Sequence, residues 1–101
     1  MYKLIHYSQN EKGEDEFYNV GTKDEGASWS RKELKELVTG ILNDTAGEII
    51  EISPKSSAYF KIGDAQFCIL TKKNNPISEK TANELFRYME MDSLFNRDEI
   101  D

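Results

Sequence analysis

The sequence predicts an α+β fold: a mainly antiparallel four- to five-stranded sheet with two helices packed on one face, in the order β(β)αβββα. Three observations carry this prediction. Residues 30–42 hold a capped helical stripe, residues 48–71 hold three consecutive strand-like runs, and residues 78–89 hold a second capped stripe. Strands that follow one another directly favour antiparallel pairing, and helices kept outside the run favour one covered face.

Residues 2–7 (YKLIHY) alternate Tyr2, Leu4 and His6 against Lys3, Ile5 and Tyr7, a period-two strand with both faces partly apolar. Residues 8–15 are polar, contain Gly13 and read as a loop. Residues 16–20 (EFYNV) return as a second strand of a long-looped hairpin, and 21–28 form a linker with two glycines. Ser30 and Glu33 then have capping-box spacing, with Trp29 and Leu34 at the positions of a hydrophobic staple. Leu34, Leu37, Val38, Ile41 and Leu42 follow on one helical face, so a helix is expected over 31–43, with Gly47 completing its exit.

Residues 48–53 (EIIEIS) read as a strand closed by Pro54. Residues 57–62 and 65–71 read as a hairpin, because Gly63-Asp64 is the Gly-X pair that a type II′ turn prefers. A two-residue loop places Ile62 opposite Ala65, Phe60 opposite Phe67 and Ala58 opposite Ile69, all on one face. The other face carries Tyr59, Lys61, Gln66, Cys68 and Leu70. After the turn at 72–76, Ser78 caps a helix expected over 79–91 with the stripe Ala82, Leu85, Phe86, Met89. Residues 91–96 continue as a helical turn, and 97–101 are expected to fray, which makes residues 1–96 one domain with a short acidic tail.

Length and composition bound the function. The 101 residues suit one domain, and 11% aromatic content suffices for a core. Cys68 is the sole cysteine, so no intrachain disulfide forms, and a reducing, cytoplasmic location is expected. The N-terminal apolar stretch is interrupted by Lys3 and His6 and is too short for a signal peptide, and no run reaches the length of a membrane span. The formal charge is −6. Its distribution matters more than its size. Residues 11–25 hold six acids and two bases, residues 84–101 hold the same numbers, and residues 26–83 hold seven acids and eight bases. The acidity therefore sits in an N-terminal loop and at the C-terminus, and it disfavours nucleic acid by bulk charge.

Chemistry-bearing motifs are sparse. A nucleophile and base pair needs both partners, and the only candidates are Cys68 and His6, each on a strand. One cysteine and one histidine do not make a structural zinc site. Glu11, Glu14, Asp15 and Glu16 lack the ligand spacing of an EF-hand loop. No phosphate-cradling glycine loop, dinucleotide fingerprint or nucleophile elbow is present, so neither a cofactor nor a catalytic residue is expected.

The order αβββα over residues 30–91 resembles that of double-stranded-RNA-binding domains, in which the start of the second helix holds a basic cluster on the phosphates. The resemblance covers topology only: the loop Ser53-Pro54-Lys55-Ser56 lacks that family's Gly-Pro-x-His pattern, and Lys80 is flanked by Glu79 and Glu84. It implies a nucleic-acid-binding reading that uses Lys55, Lys61, Lys72, Lys73 and Lys80. In general character, though in no motif, the chain resembles small phage-encoded or mobile-element inhibitors such as anti-CRISPR and immunity proteins. That resemblance implies a non-enzymatic module docking on a basic, nucleic-acid-handling protein. The residues assigned to docking are Glu11, Glu14, Asp15, Glu16, Asp24 and Glu25, with Tyr88, Met91, Asp92 and Phe95 from the C-terminal segment, where acids alternate with large apolar residues. A small enzyme or ligand-binding domain built on carboxylates is a third reading. A homodimer through an edge strand or the C-terminal helix is a further option.

Overall fold

The computed structural model describes residues 1–24, 26–55 and 57–91. The elements are β1 (Tyr2–Gln9), β2 (Asp15–Asn19), α1 (Arg31–Thr45), β3 (Ile49–Ser53), β4 (Tyr59–Ile62), β5 (Ala65–Thr71) and α2 (Glu79–Tyr88). The five strands form one antiparallel sheet in the order β2-β1-β5-β4-β3. The β1–β2 hairpin occupies one edge. The chain then crosses by α1 to the far edge and meanders back through β3 and β4, so that β5 closes against β1.

Register sets which face is buried. Leu4 pairs with Ile69 and Phe60 with Phe67, so these residues and their period-two neighbours share a face. All four are almost fully buried, together with Leu34 and Val38 of α1 and Ala82, Leu85 and Phe86 of α2. Both helices therefore lie on this face. Phe60 stands at the centre, stacked on Phe67 at 5.2 Å and met edge-on by Phe86 at 6.3 Å. Such ring geometries add about 0.5–1.5 kcal/mol beyond area burial.

The helix termini follow from local chemistry. Glu33 N donates to Ser30 Oγ at 3.2 Å and Ser30 N donates to Glu33 Oε1 at 3.1 Å, completing the capping box. Trp29 is fixed one residue earlier by a two-way backbone bridge with Tyr2, at 2.8 and 2.6 Å. α1 runs two residues past the expected end, and its left-handed terminal residue is Ala46 (φ 52°), not a glycine. Gly47 serves a different purpose. A Cβ there would lie 2.7 Å from Ile62 Cγ2 and 2.9 Å from Thr45 Oγ1, so only glycine permits this close approach. α2 ends at Tyr88, earlier than expected, because Glu90 takes a left-handed φ of 60° that breaks the ladder.

The hairpin of β4 and β5 has Ile62 opposite Ala65 and Phe60 opposite Phe67 as expected, with a positive φ at Gly63, but the expected Ala58–Ile69 pair does not form and Ile69 N donates to the Ser57 carbonyl at 3.0 Å instead. β4 starts at Tyr59 instead of residue 57, since Ser57 and Ala58 are both left-handed, although Ala58 remains buried. β1 runs on to Gln9 and β2 begins at Asp15, which shortens the connecting loop. Within it Asn10 Oδ1 accepts from Lys12 N and Glu14 N at 2.9 and 3.0 Å, an Asx turn. Among the described residues no helix is long and apolar enough to cross a membrane.

Candidate functional site: the helix-free face of the sheet

Among the described residues, the opposite face of the sheet carries no helix. The register places Ile5, Tyr7, Phe17, Lys61, Gln66, Cys68 and Leu70 on it, and Tyr59 by alternation from Phe60. Three of its rings form a row across the strands. Phe17 lies 6.0 Å from Tyr7, and Tyr7 lies 6.2 Å from Tyr59. The Tyr59 hydroxyl donates to Gln66 Oε1 at 3.3 Å. Burial, then the neighbouring Tyr59, pushes the Tyr7 phenol up to about 12. Burial also raises the Cys68 thiol. Both groups are therefore neutral around pH 7.

Each end of this face has its own character. One end is closed by the β2–α1 loop and the β5–α2 turn, around a cavity of about 510 Å³ lined in part by Lys3, Asn19, Lys23 and Asn74. Lys3 is buried, and its Nζ donates to Asn74 Oδ1 at 2.9 Å. Asn19 Nδ2 holds the loop by donating to the carbonyls of Asp24 and Ala27, at 3.2 and 2.9 Å. The other end opens toward the β1–β2 loop, where a depression of about 450 Å³ is lined by Tyr7 and Gln66 together with the carboxylates of Asp15 and Asp64.

The acids expected to dock a partner divide between these ends. Glu11, Glu14, Asp15 and Glu16 come together at the tip of the β1–β2 hairpin, the first three exposed. The Tyr18 hydroxyl donates to the Glu16 carboxylate, which together with that charge raises the Tyr18 phenol. Asp24 sits beyond the other end of β2. Its Oδ1 accepts from Gly26 N at 2.8 Å, so it builds a turn and does not join the hairpin acids. Tyr88 is exposed, and its ring has the Arg31 guanidinium 5.0 Å and the Lys35 ammonium 5.7 Å from its centre, which ties α2 to α1. Met91 is 1% exposed and belongs to the core. It presents no surface to a partner, a correction whose cause is the early end of α2: the chain turns Met91 inward. Glu25, Asp92 and Phe95, the expected helical turn over 91–96 beyond Met91, and the tail 97–101 lie outside the described residues.

Lys61 and Lys80 do not share a surface. Lys61 is on the helix-free face, Lys55 is in the β3–β4 loop, Lys72 and Lys73 are in the β5–α2 turn, and Lys80 is in the first turn of α2. The sheet stands between Lys61 and the helical layer. His6 and Cys68 also fall on opposite faces, because His6 pairs with Phe67 and Cys68 with Ile5. They do not form a dyad. Among the described residues no group of three or more His, Cys, Asp or Glu side chains is placed to hold a metal ion.

The aromatic row was not among the residues that sequence reasoning assigned to a site. Its one legible trace was that the strand over 2–7 is partly apolar on both faces and that Tyr59, Cys68 and Leu70 stand among the polar residues of the hairpin's second face. Compared with family models, with curated proteins and with solved structures, the chain matches none.

Proposed function

We propose that the chain is a non-catalytic docking module that binds a basic surface of another protein through the helix-free face of its sheet and the acidic tip of its β1–β2 hairpin. The observation that carries this reading is the aromatic row Phe17, Tyr7 and Tyr59 on a face without helices, running out into the carboxylates of Asp15 and Asp64. Aromatic centres with polar rims are the usual composition of protein interfaces. An acidic rim raises the rate and selectivity of docking on a basic partner. Proteins that grip nucleic acid present such basic surfaces, so an inhibitor or adaptor of a nucleic-acid-handling protein is the form this activity takes.

The test is affinity capture with the tagged protein from a lysate of its native host at low and moderate salt. It is repeated with the charge reversals Asp15→Lys and Glu16→Lys together, and with Lys80→Glu as a control on the helical layer. The expected result is one basic protein, released by salt, lost on the double reversal and kept by the control. Retention of that protein by the double reversal, or capture of nuclease-sensitive nucleic acid in its place, contradicts the reading.

A further inference from the structure

We infer that the outer edge of β2 takes an extended basic segment of the partner as a sixth strand. The inference rests on the docking reading above and specifies how that contact is made. β2 ends the sheet, and among the described residues its only strand partner is β1, on its inner side. The pairing with β1 is regular through five consecutive residue pairs, from Ile5 with Asn19 to Gln9 with Asp15. The opposite edge differs. β3 has a register shift between Ile49 and Glu51, an irregularity of the kind that blunts an edge against further pairing.

The side chains of β2 are also arranged for an incoming strand. Phe17 is 65% exposed and Tyr18 52% exposed. Adjacent on one strand, they stand on opposite faces of the sheet. Each is braced from behind by a ring of β1: Phe17 by Tyr7 at 6.0 Å, and Tyr18 by His6, stacked at 6.2 Å. Two supported rings thus straddle the open edge, one above and one below. A strand added there sends alternate side chains to both faces, within cross-strand contact of both rings.

Charge selects the occupant. The strand opens with Asp15 and Glu16, and the adjoining loop adds Glu11 and Glu14 against the single base Lys12. A second copy pairing antiparallel on this edge sets Asp15 and Glu16 opposite Asn19 and Tyr18 and supplies no base to the hairpin acids, whereas a basic strand pairs with them. Arginine and lysine side chains satisfy the carboxylates and also sit favourably over the faces of Phe17 and Tyr18. The occupant is therefore an extended, arginine- or lysine-rich segment of the protein partner.

The experiment is an NMR titration of the isotope-labelled full chain with a synthetic peptide of about eight residues, a common strand length, alternating arginine and valine. A matched peptide carries N-methyl groups on every backbone amide, which keeps the charge and removes the donors of both strand edges. Expected are amide shifts centred on residues 15–19 and slowed hydrogen exchange there. Binding should weaken about tenfold or more with the N-methylated peptide. It should weaken by about the same factor in the Phe17→Ala/Tyr18→Ala protein, whose exposed substitutions leave the melting temperature in place. Equal binding of the two peptides overturns the inference, as do shifts centred on Tyr59, Lys61 and Gln66, absence of binding, or concentration-dependent dimerisation without peptide. In the lysate capture, a partner lost on reversal of Asp15 and Glu16 but kept by Tyr18→Ala, a residue outside the aromatic row, overturns strand addition and leaves the docking reading standing.

Discussion

Ala46 and Gly47 show how neighbouring residues answer different constraints. Ala46 holds the left-handed conformation that ends α1, while Gly47 leaves room for Ile62 Cγ2 and donates its N–H to Thr45 Oγ1 at 3.2 Å. Ala46→Gly relieves a left-handed penalty of about 1–2 kcal/mol, offset by about 0.5–1 kcal/mol of extra backbone freedom in the unfolded chain. A modest rise in melting temperature is expected. Gly47→Ala forces a methyl group into occupied space and should cost about 1–3 kcal/mol in denaturant titration. Reversed signs would mean that the helix exit is governed by something other than these contacts. Tyr7 supplies a pH-dependent counterpart. Its phenol is displaced upward from 10.0 to about 12, chiefly by burial. The folded chain favours the neutral form, so this contribution to stability is complete below pH 10 and is lost as pH rises through about 12. Absorbance titration of the folded protein should show one tyrosine ionising near the upper value, and Tyr7→Phe should remove that step.

At the scale of elements, the N-terminus of α1 joins two kinds of local signal. The capping box satisfies backbone donors, and Trp29 sets the angle at which the chain enters the helix through its bridge to Tyr2. Ser30→Ala should therefore cost about 1 kcal/mol. Trp29, the sole tryptophan, gives that substitution a fluorescence readout as the bridge loosens. An unchanged spectrum and stability would show that tertiary packing alone sets the helix entry. The box and the stripe behind it were legible in the sequence, because capping and helical periodicity act over a few residues. The end of α2 was not legible, because the left-handed turn at Glu90 interrupts a sequence that still carries helix-forming residues. Its consequence reached the site, since Met91 was read as surface and lies in the core.

At the scale of the whole molecule, one core carries the fold. Phe60 contacts Phe67 within the sheet and Phe86 across to α2, and it is fully buried. Phe60→Ala should cost about 3–5 kcal/mol, a large share of the roughly 5–15 kcal/mol available to a domain of this size. Chemical denaturation checks this, and a loss below about 1 kcal/mol would place the centre of the core elsewhere. Exposed Phe17 contributes little to that core, so a fold that survives its removal allows binding to be measured separately from stability.

Both helix starts, the two-residue turn of the β4–β5 hairpin and the apolar set facing the helices are written in local patterns of the chain. Each follows from short-range chemistry: a cap, a Gly-X turn, or a period of two or 3.6 residues. Closure of β5 on β1 came with the assembled sheet, and it leaves β2 at the edge and aligns Phe17, Tyr7 and Tyr59 in one row. The assembled sheet likewise separated Asp24 from the hairpin acids and Lys61 from Lys80. Pairing between strands far apart in sequence depends on the whole core closing at once, and no local pattern encodes which strand becomes the neighbour of which.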